Sequence, residues 1–467
     1  MVFFAQELAS KDISIDRLRA MVFGPKTESS SAICGKKDEA DQTEGTTKKT
    51  PRQRRKPEEK APGHGRNGTA KYPGAKRIKV GLAGQESGAP CPHCNGKVYP
   101  EKEPASLIRF LAVAPIQATI YELERWRCNG CGEVTTAPAP EGVGEKKYDE
   151  SVPAILGEMR YGVGLPHPRI EALQNAFGIP LPASTQWELL LAAAGLLLPA
   201  HAELVRQAAQ GHLLFIDDTR MKILNRATLS PDLEGRSAIQ TTGILSHLDS
   251  KRIALFITGM HHAGENLEAL LKHRSEDLAK PIHMCDALAA NTAGEDGTLD
   301  TILAHCLVHA RRKFVEVAAK FPVAVRILLK FLRLIYRIEA RTTARKMDPA
   351  ARLAYHQQRS GPIMAKLEAW LQRQFDERLV EPNSGLGKAI KYMQNHWQEL
   401  TLFLREPGAP LDNSAAERLV KRAIIHRKNS LFYRSQKGAR VGDTFMSFAA
   451  PQKPTTHALH KPTRLES

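Results

Sequence analysis

The spacing of hydrophobic positions changes along the chain and divides it into regions. Short apolar runs between polar turns predict strands in the middle of the sequence. These runs are LLFIDD (213–218), IQTTGILSHLD (239–249), RIALFITG (252–259) and PIHMCDA (281–287). A helical segment at 265–273 separates the third run from the fourth, and residues 302–404 have an almost entirely helical pattern. This order predicts a mixed α/β sheet followed by a helical region.

The segment 150–210 also has a helical pattern. One helix is predicted over Pro168–Phe177, Gly178 interrupts it, and Ser184 or Thr185 could cap a second that ends at Leu198. This outline resembles a helix–turn–helix, but the second helix offers few polar side chains to a DNA groove, so core packing is favoured. The apolar run Leu189–Leu198 is shorter than the roughly 20 residues that span a bilayer. The first residues, MVFFAQELASKD, lack the features of a secretory leader. We therefore expect no membrane partner and a cytoplasmic location.

Charge is distributed unevenly. The 67 Lys and Arg residues against 50 Asp and Glu give a net charge of +17, which favours a polyanionic partner and excludes a typical neutral metabolic enzyme. Between Lys48 and Lys79 there are twelve basic residues and two acidic ones, with few aliphatic residues. Such a stretch cannot bury a core, so it predicts a flexible basic linker.

Four of the seven cysteines form two CxxC pairs. Cys91 and Cys94 make the first pair, Cys128 and Cys131 make the second, and 33 residues separate the two pairs. Two such pairs place four thiolates around a tetrahedral Zn²⁺, and the β-rich sequence between them predicts a zinc ribbon. The alternative is a set of buried free cysteines. An odd cysteine count with uneven spacing does not suggest a disulfide framework.

Three acidic residues are candidates for catalysis. Asp217 or Asp218 ends one apolar strand, and Asp286 ends another. Glu417 begins a basic helix. Carboxylates from distant segments can hold two Mg²⁺ ions for phosphodiester chemistry. The alternatives are ordinary turn residues for the aspartates and a capping box from Ser414 to Glu417, with Asp412 or Asn413 as other possible caps.

Several longer motifs follow one another along the chain: FGPKTE (23–28), the paired CxxC module, YGVGLP…GIPLPAST, FIDDT (215–219), MCDALAAN (284–291), CLVHARRKF (306–314) and LDNSAAER…HRKNSLFYRSQKGA (411–439). In this order, from about residue 15 to Phe448, the chain resembles the transposases of the insertion-sequence-66 family. The resemblance selects Asp217 over Asp218 and makes Glu417 the third carboxylate. Ser414 departs from the family's usual second Asn, and the sequence after Phe448 no longer follows the family.

The resemblance implies a ribonuclease H-like DDE catalytic core with a large helical insertion, preceded by a zinc ribbon and a helical N-terminal region. The predicted divisions are an N-terminal helix and polar segment (1–47), a basic linker (48–84), a zinc-ribbon module (85–140), a helical region (150–210), a catalytic domain (211–448) with its insertion at about 320–405, and a disordered tail (449–467). The implied cofactors are Mg²⁺ or Mn²⁺ at Asp217, Asp286 and Glu417, and Zn²⁺ at the four cysteines.

The implied partners are the terminal inverted repeats of an insertion sequence and target DNA. The resemblance also suggests a homo-oligomer on DNA, accessory proteins of the same element, and a bacterial, nucleoid-associated location. Basic residues that could contact DNA lie within two of the motifs, at 306–314 and 411–439. They are His309, Arg311, Arg312, Arg418, Lys421, Arg422, Arg427, Lys428 and Arg434. The alternative for each is a solvated helix face.

Phe432 and Tyr433 lie among these cations and are candidates for base stacking. His305 and His309 have the i, i+4 spacing of a metal-binding helix, but the glutamate of a zincin motif is absent, so that class is rejected. Three other functions remain open: a zinc-ribbon DNA-binding regulator, a nuclease without strand transfer, and an inactive transposase remnant.

Overall fold

A computed structural model describes residues 115–127, 134–138, 140–141, 146–225, 238–294 and 297–450. The predicted N-terminal segment, the basic linker, all four CxxC cysteines and residues 451–467 lie outside the described residues.

Nine strands and thirteen α-helices occur among the described residues. The strands are β1 (Arg125–Arg127), β2 (Val134–Thr136), β3 (Leu213–Met221), β4 (Ile239–Leu248), β5 (Lys251–Gly259), β6 (Ile282–Cys285), β7 (Ala293–Gly294), β8 (Gly297–Thr298) and β9 (Ile302–His305). The helices are α1 (Ser151–Gly157), α2 (His167–Ala176), α3 (Ala183–Ala209), α4 (Ala263–Leu271), α5 (Ala289–Thr292), α6 (Leu307–Val315), α7 (Pro322–Ala344), α8 (Pro349–Arg359), α9 (Gly361–Asp376), α10 (Gly385–Asn395), α11 (Trp397–Leu400), α12 (Ser414–Ser430) and α13 (Gln436–Ala449). A π-helical turn, Glu158–Gly162, follows α1, and a 3₁₀ turn, Leu402–Leu404, follows α11.

Five strands form the central sheet in the order β5-β4-β3-β6-β9. The pairs β3–β4 and β4–β5 are antiparallel, whereas β3–β6 and β6–β9 are parallel. The predicted mixed α/β sheet is therefore confirmed, and its arrangement is consistent with a ribonuclease H-like core. The expectation that helix begins at residue 302 is wrong for the first four residues, because Ile302–His305 pairs with β6 as the edge strand.

The sheet is covered on both faces, and the alternation of side chains along β3 accounts for this. Leu213 and Phe215 point into a core shared with α6, α7 and the helices that follow. Leu214 and Ile216 point the other way, into a core shared with α4 and the end of α3. A third core joins α1–α3 to the far ends of β3–β5 and to α13. The fully buried run of β3 ends at Ile216, and the partly buried Asp217 and Asp218 follow it.

Two predicted boundaries need correction. The helix expected to end at Leu198 continues to Ala209 with Pro199 inside it, because the residues beyond the proline favour helix and bury Ala208 and Ala209 against the sheet. At the other end, α13 runs to Ala449, and Ala450 is buried. The folded part therefore extends past the predicted start of the tail.

Helix α3 is the one described helix that is long and apolar enough, by length and composition, to cross a membrane, with a mean hydropathy of 1.5. It contacts α13 and β5 of this fold. Part of its apolar surface faces outward, since Leu196 is 83% exposed. The expectation of no membrane partner stays a prediction.

Between Asp286 and the start of α12 the chain forms α5, the short strands β7 and β8, the edge strand β9 and the helices α6 to α11. Helices α7–α11 lie within the range expected for the insertion. Their apolar side chains, including Leu328, Leu367 and Ile390, join the core on the β6–β9 side of the sheet. The chain then returns to the sheet at Leu411, whose carbonyl accepts a hydrogen bond of 3.0 Å from the Leu307 N–H. This contact joins the start of α6 to the segment that leads into α12.

Candidate active site

Two of the predicted carboxylates occupy equivalent places on neighbouring parallel strands. In the register of β3 and β6, Phe215 is paired with Met284. Asp217 and Asp286 each follow two residues later, and parallel strands bring such positions to the same sheet edge. The carboxyl ends of parallel strands are where open α/β sheets bind ligands.

The third carboxylate reaches this edge from a helix. Glu417 lies in the first turn of α12, and α12 packs on β3 and β4. The close approach depends on Gly243, which is the register partner of Asp217 on β4. A Cβ atom at Gly243 would lie only 2.7 Å from Cγ1 of Val420 on α12. The missing side chain therefore lets the helix that carries Glu417 lie against the strand that carries Asp217.

Asn413 fixes the start of α12. Its side-chain Nδ2 donates a 2.7 Å hydrogen bond to the carbonyl of Ile216, the residue before Asp217. Its backbone N–H donates to Sγ of Cys306 at 3.2 Å. Asn413 is 1% exposed, so both bonds are buried and join three separate segments of the chain.

The capping-box alternative for Glu417 is wrong in this structure. The backbone N–H of Ser414 donates to Oδ1 of Asp412 at 3.0 Å, so the Glu417 carboxylate is not needed to accept it. The N-cap residue is Asn413, whose side chain makes no capping bond. Glu417 is left with a side chain that is 30% exposed and available to the sheet edge.

The electrostatics of Asp217 reflect this grouping. Burial first, and then the negative charges of Asp286 and Glu417, raise its pKa to about 7, against a hydrogen bond from the Asp218 N–H that lowers it. That N–H donates to Oδ1 of Asp217 at 2.9 Å. Repulsion among half-buried carboxylates is relieved by a bound divalent cation, and an all-oxygen donor set suits Mg²⁺ or Mn²⁺. The chemistry of the three side chains therefore suits such an ion, and bringing their oxygens within 4.8 Å of one another requires side-chain movement.

Asp218 has different partners. Its Oδ1 accepts a 2.6 Å bond from Oγ1 of Thr242, and its Oδ2 accepts a 2.9 Å bond from the backbone N–H of Ala263 at the start of α4. Burial is the main cause that raises its pKa. Both oxygens are thus used within the fold. This arrangement supports Asp217, rather than Asp218, as the carboxylate of the site.

Two further side chains contact the candidate carboxylates. Asn291 donates a hydrogen bond from Nδ2 to Oδ1 of Asp286. The Nδ1 atom of His309, on α6, lies 3.9 Å from Oε1 of Glu417. Cys306, His309 and Glu417 each offer one potential metal-ligand atom within 4.8 Å of the others. The thiol of Cys306 is buried, which raises its pKa to about 11, and its sulfur already accepts the backbone N–H of Asn413.

Sequence reasoning assigned no role to Asn291 and considered Asn413 only as a possible helix cap. Both lie inside the quoted blocks, MCDALAAN and LDNSAAER, which carried the resemblance. Their amide side chains gave no separate signal, because asparagine at a helix start is most often a cap.

The predicted DNA-contacting residues differ in exposure. Arg312, Arg418, Lys421, Lys428 and Arg434 are exposed, whereas His309, Arg311, Arg422 and Arg427 are partly buried. Arg427 is bonded back to the sheet, since its Nη1 donates to Oγ1 of Thr219 at 3.2 Å and to the carbonyl of Arg220.

Of the two aromatic candidates, only one is available for stacking on a base. Tyr433 is 4% exposed and stacks on His426, with ring centroids 4.7 Å apart. Phe432 is 37% exposed. The expectation of base stacking therefore applies to Phe432 alone.

The chain belongs to the IS66 family of transposases, because residues 147–441 match the model of that family's transposase domain. The match includes every element that contributes to the candidate site. Membership implies a transposase of the DDE class, and with it DNA binding and the use of divalent metal ions.

Three proteins of Sinorhizobium fredii (strain NBRC 101917 / NGR234) are similar to this chain, and all are named as uncharacterized. Protein y4jD is 34% identical over 163 residues, which cover 34% of this chain and 30% of y4jD. Protein y4hP is 24% identical over 346 residues, which cover 68% of this chain and 58% of y4hP. Protein y4qI is 30% identical over 158 residues, which cover 33% of this chain and 28% of y4qI. The chain thus aligns with less than two thirds of the length of each relative.

Proposed function

We propose that this protein cleaves DNA at the terminal inverted repeats of its insertion sequence and joins the freed strand ends to target DNA. The observation that carries the proposal is the convergence of Asp217, Asp286 and Glu417 from two parallel strands and a helix. The raised pKa of Asp217, caused by burial and by the other two carboxylates, supports their proximity.

In this proposal Asp217, Asp286 and Glu417 would hold Mg²⁺ or Mn²⁺. A divalent cation bound there supplies stabilisation of the attacking and leaving oxygens of a phosphodiester displacement. Water is the first nucleophile, directed at the strand end. The 3′-OH that is released is the second, and it attacks a phosphodiester of target DNA, so one bond forms as another breaks.

The surrounding residues would position the carboxylates. Asn413 ties the start of α12 to β3, and Gly243 allows the two elements to lie close together. Asn291 orients Asp286 through its hydrogen bond. The exposed cations of α12 extend away from Glu417 and would neutralise phosphates of the bound strand.

Three alternatives remain for the full activity: a nuclease with the same site but no strand transfer, an inactive remnant that still binds DNA, and a zinc-ribbon DNA-binding regulator. The first two share the carboxylate site, and the third does not need it. The zinc site at Cys91, Cys94, Cys128 and Cys131 stays a prediction, as do the homo-oligomer, the accessory proteins and the nucleoid location.

A strand-transfer assay tests the proposal. Duplex oligonucleotides that end in the inverted repeat, as read from the DNA flanking the gene, are incubated with supercoiled plasmid and Mg²⁺ or Mn²⁺. We expect covalent joining of the 3′-OH end to the plasmid by the wild type and none by Asp217→Asn. Asp277→Asn, an exposed aspartate outside the site, is the matched control. Cleavage without joining would favour the nuclease, and DNA binding alone would favour the remnant or the regulator.

A further inference from the structure

A second group of potential metal ligands lies beside the candidate active site and uses none of its three carboxylates. It consists of His305, His396 and Glu399, and one ligand atom from each lies within 4.8 Å of the others. His305 is the last residue of β9. His396 lies between α10 and α11, and Glu399 is in α11. The edge strand of the sheet and the helical insertion therefore meet at this group.

The carboxylate of Glu399 lacks the partner that its burial requires. Its Oε2 atom is buried and has no hydrogen-bond partner among the described residues. An ionised oxygen in that position is costly unless a cation or a donor satisfies it. The His305 and His396 rings meet edge to face, with centroids 5.1 Å apart, and neither supplies a salt bridge to Glu399 within 4.0 Å. The group thus consists of an acidic oxygen and two imidazoles whose ligand atoms lie within 4.8 Å of one another.

We propose that His305, His396 and Glu399 bind one Zn²⁺ ion. Two imidazole nitrogens with one carboxylate oxygen form a donor set that suits Zn²⁺, whereas Mg²⁺ prefers oxygen ligands throughout. Ligand atoms about 2.0–2.2 Å from a tetrahedral zinc are about 3.3 Å from one another. Small rotations of side chains on the insertion would bring atoms that now lie within 4.8 Å to this separation.

The fourth coordination position is left to water. The Sγ of Cys285 lies 3.9 Å from Nδ1 of His305, and Cys285 is fully buried. His396 and Glu399 are partly exposed, which gives water and the ion access.

Such an ion would hold the sheet and the insertion together next to the active site. His305 is the register partner of Cys285, and Cys285 directly precedes Asp286. A metal bond from β9 to the α10–α11 turn would therefore restrict movement of the strand beside Asp286. The role expected for this Zn²⁺ is structural, and the proposal does not depend on the proposed transposase reaction.

The test is a difference in zinc content, measured on the full chain purified under reducing conditions with Zn²⁺ supplied. We expect the wild type to contain about one more zinc per chain than Glu399→Gln or His396→Ala. Because the readout is a difference, any zinc at the CxxC cysteines or the catalytic carboxylates cancels. Glu276→Gln and His273→Ala change exposed residues of the same types outside the group and should keep the wild-type content.

A second measurement separates loss of the site from loss of the fold. Zn²⁺ should raise the melting temperature of chelator-treated wild type by several degrees with excess Mg²⁺ present, and it should raise that of Glu399→Gln by less. Glu399→Gln keeps the side-chain shape, and circular dichroism checks that it is folded. Equal zinc content in the wild type and Glu399→Gln overturns the proposal. An equal rise in melting temperature for the two proteins does so as well.

Discussion

The imidazole Nδ1 of His309 lies 3.9 Å from Oε1 of Glu417, and this nitrogen is buried without a hydrogen-bond partner among the described residues. Burial is the main cause that lowers the pKa of His309, so the ring is neutral near pH 7. The separation is longer than a hydrogen bond, and a small rotation of either side chain closes it. His309 is therefore placed to position Glu417 when the carboxylate binds a metal ion.

We expect His309→Ala to reduce strand cleavage by about 10- to 100-fold, the usual effect of losing a partner of a metal ligand. His309→Asn, which keeps a donor near the same place, should retain more activity. Single-turnover cleavage and DNA affinity, measured side by side, separate positioning from phosphate binding. A loss of affinity that matches the loss of cleavage would instead make His309 a phosphate contact.

Substitution of any of the three carboxylates should abolish most of the cleavage without weakening DNA binding. Asp217→Asn, Asp286→Asn and Glu417→Gln are each expected to lower cleavage by at least about 100-fold, because each removes charge that stabilises the transition state. DNA affinity should stay the same or rise, since binding depends mainly on phosphate contacts elsewhere. Gel-shift titration and cleavage of the same duplex measure both. A variant with near-normal cleavage would remove that residue from the site.

Asp218→Asn should act on stability. Both oxygens of Asp218 accept hydrogen bonds, and an asparagine would turn an N–H₂ group toward one of the two donors. We expect a loss of about 1–3 kcal/mol in the free energy of unfolding, measured by urea denaturation. The folded fraction should still cleave DNA. Complete loss of cleavage in folded Asp218→Asn would show that the two aspartates had been assigned the wrong way round.

Gly243→Ala tests the approach of α12 to the sheet. The added Cβ would lie 2.7 Å from Cγ1 of Val420, so the helix must shift, at a cost of about 1–3 kcal/mol, and cleavage should fall with it. Gly259→Ala on β5 is the matched control, because its nearest neighbour would be 3.9 Å away. Adding Val420→Ala to Gly243→Ala should recover part of the stability and the activity. No recovery would mean that the helix contact is not the cause.

The buried carboxyl group of Asp443 should make the stability of the fold depend on pH. Its oxygens accept bonds of 2.7 Å from the Thr258 N–H and 2.6 Å from Thr258 Oγ1, yet burial raises its pKa to about 7 from an ordinary 3.8. The folded state therefore binds more protons than the unfolded state between about pH 4 and 7. Stability from this group is present below that window and is lost as the pH rises through it, by about 2–4 kcal/mol.

The Asp443→Asn variant isolates this effect. Asparagine can accept from the Thr258 N–H and donate to Thr258 Oγ1, and it does not titrate. The free energy of unfolding of the variant minus that of the wild type, measured in urea, should therefore be larger at pH 8 than at pH 4.5. An unchanged difference between the two proteins at both pH values would contradict the raised pKa.

The sequence predicted the parts of the fold that rest on local patterns. The apolar run of β3 and the acidic residues after it placed Asp217 or Asp218 at the end of a strand, and the structure buries that run on both faces of the sheet. Strand β9 was missed because four residues, ILAH, carry no alternation, and their strand conformation depends on pairing with the distant β6. The role of Glu417 was ambiguous for a similar reason. Whether it caps the helix or faces the sheet edge depends on the hydrogen bonds that Asp412 makes to Ser414 and Asn413 makes to Ile216.

The order of the three carboxylates along the chain has a consequence for biosynthesis. Asp217 and Asp286 come from neighbouring strands, but Glu417 is added 131 residues after Asp286, when the helical insertion has already been made. A polypeptide whose translation stops anywhere before codon 417 can contain the first two acids and lacks the third. If the three act together as proposed, premature termination yields fragments that cannot cut DNA, and the ability to break DNA belongs only to chains synthesised past Glu417.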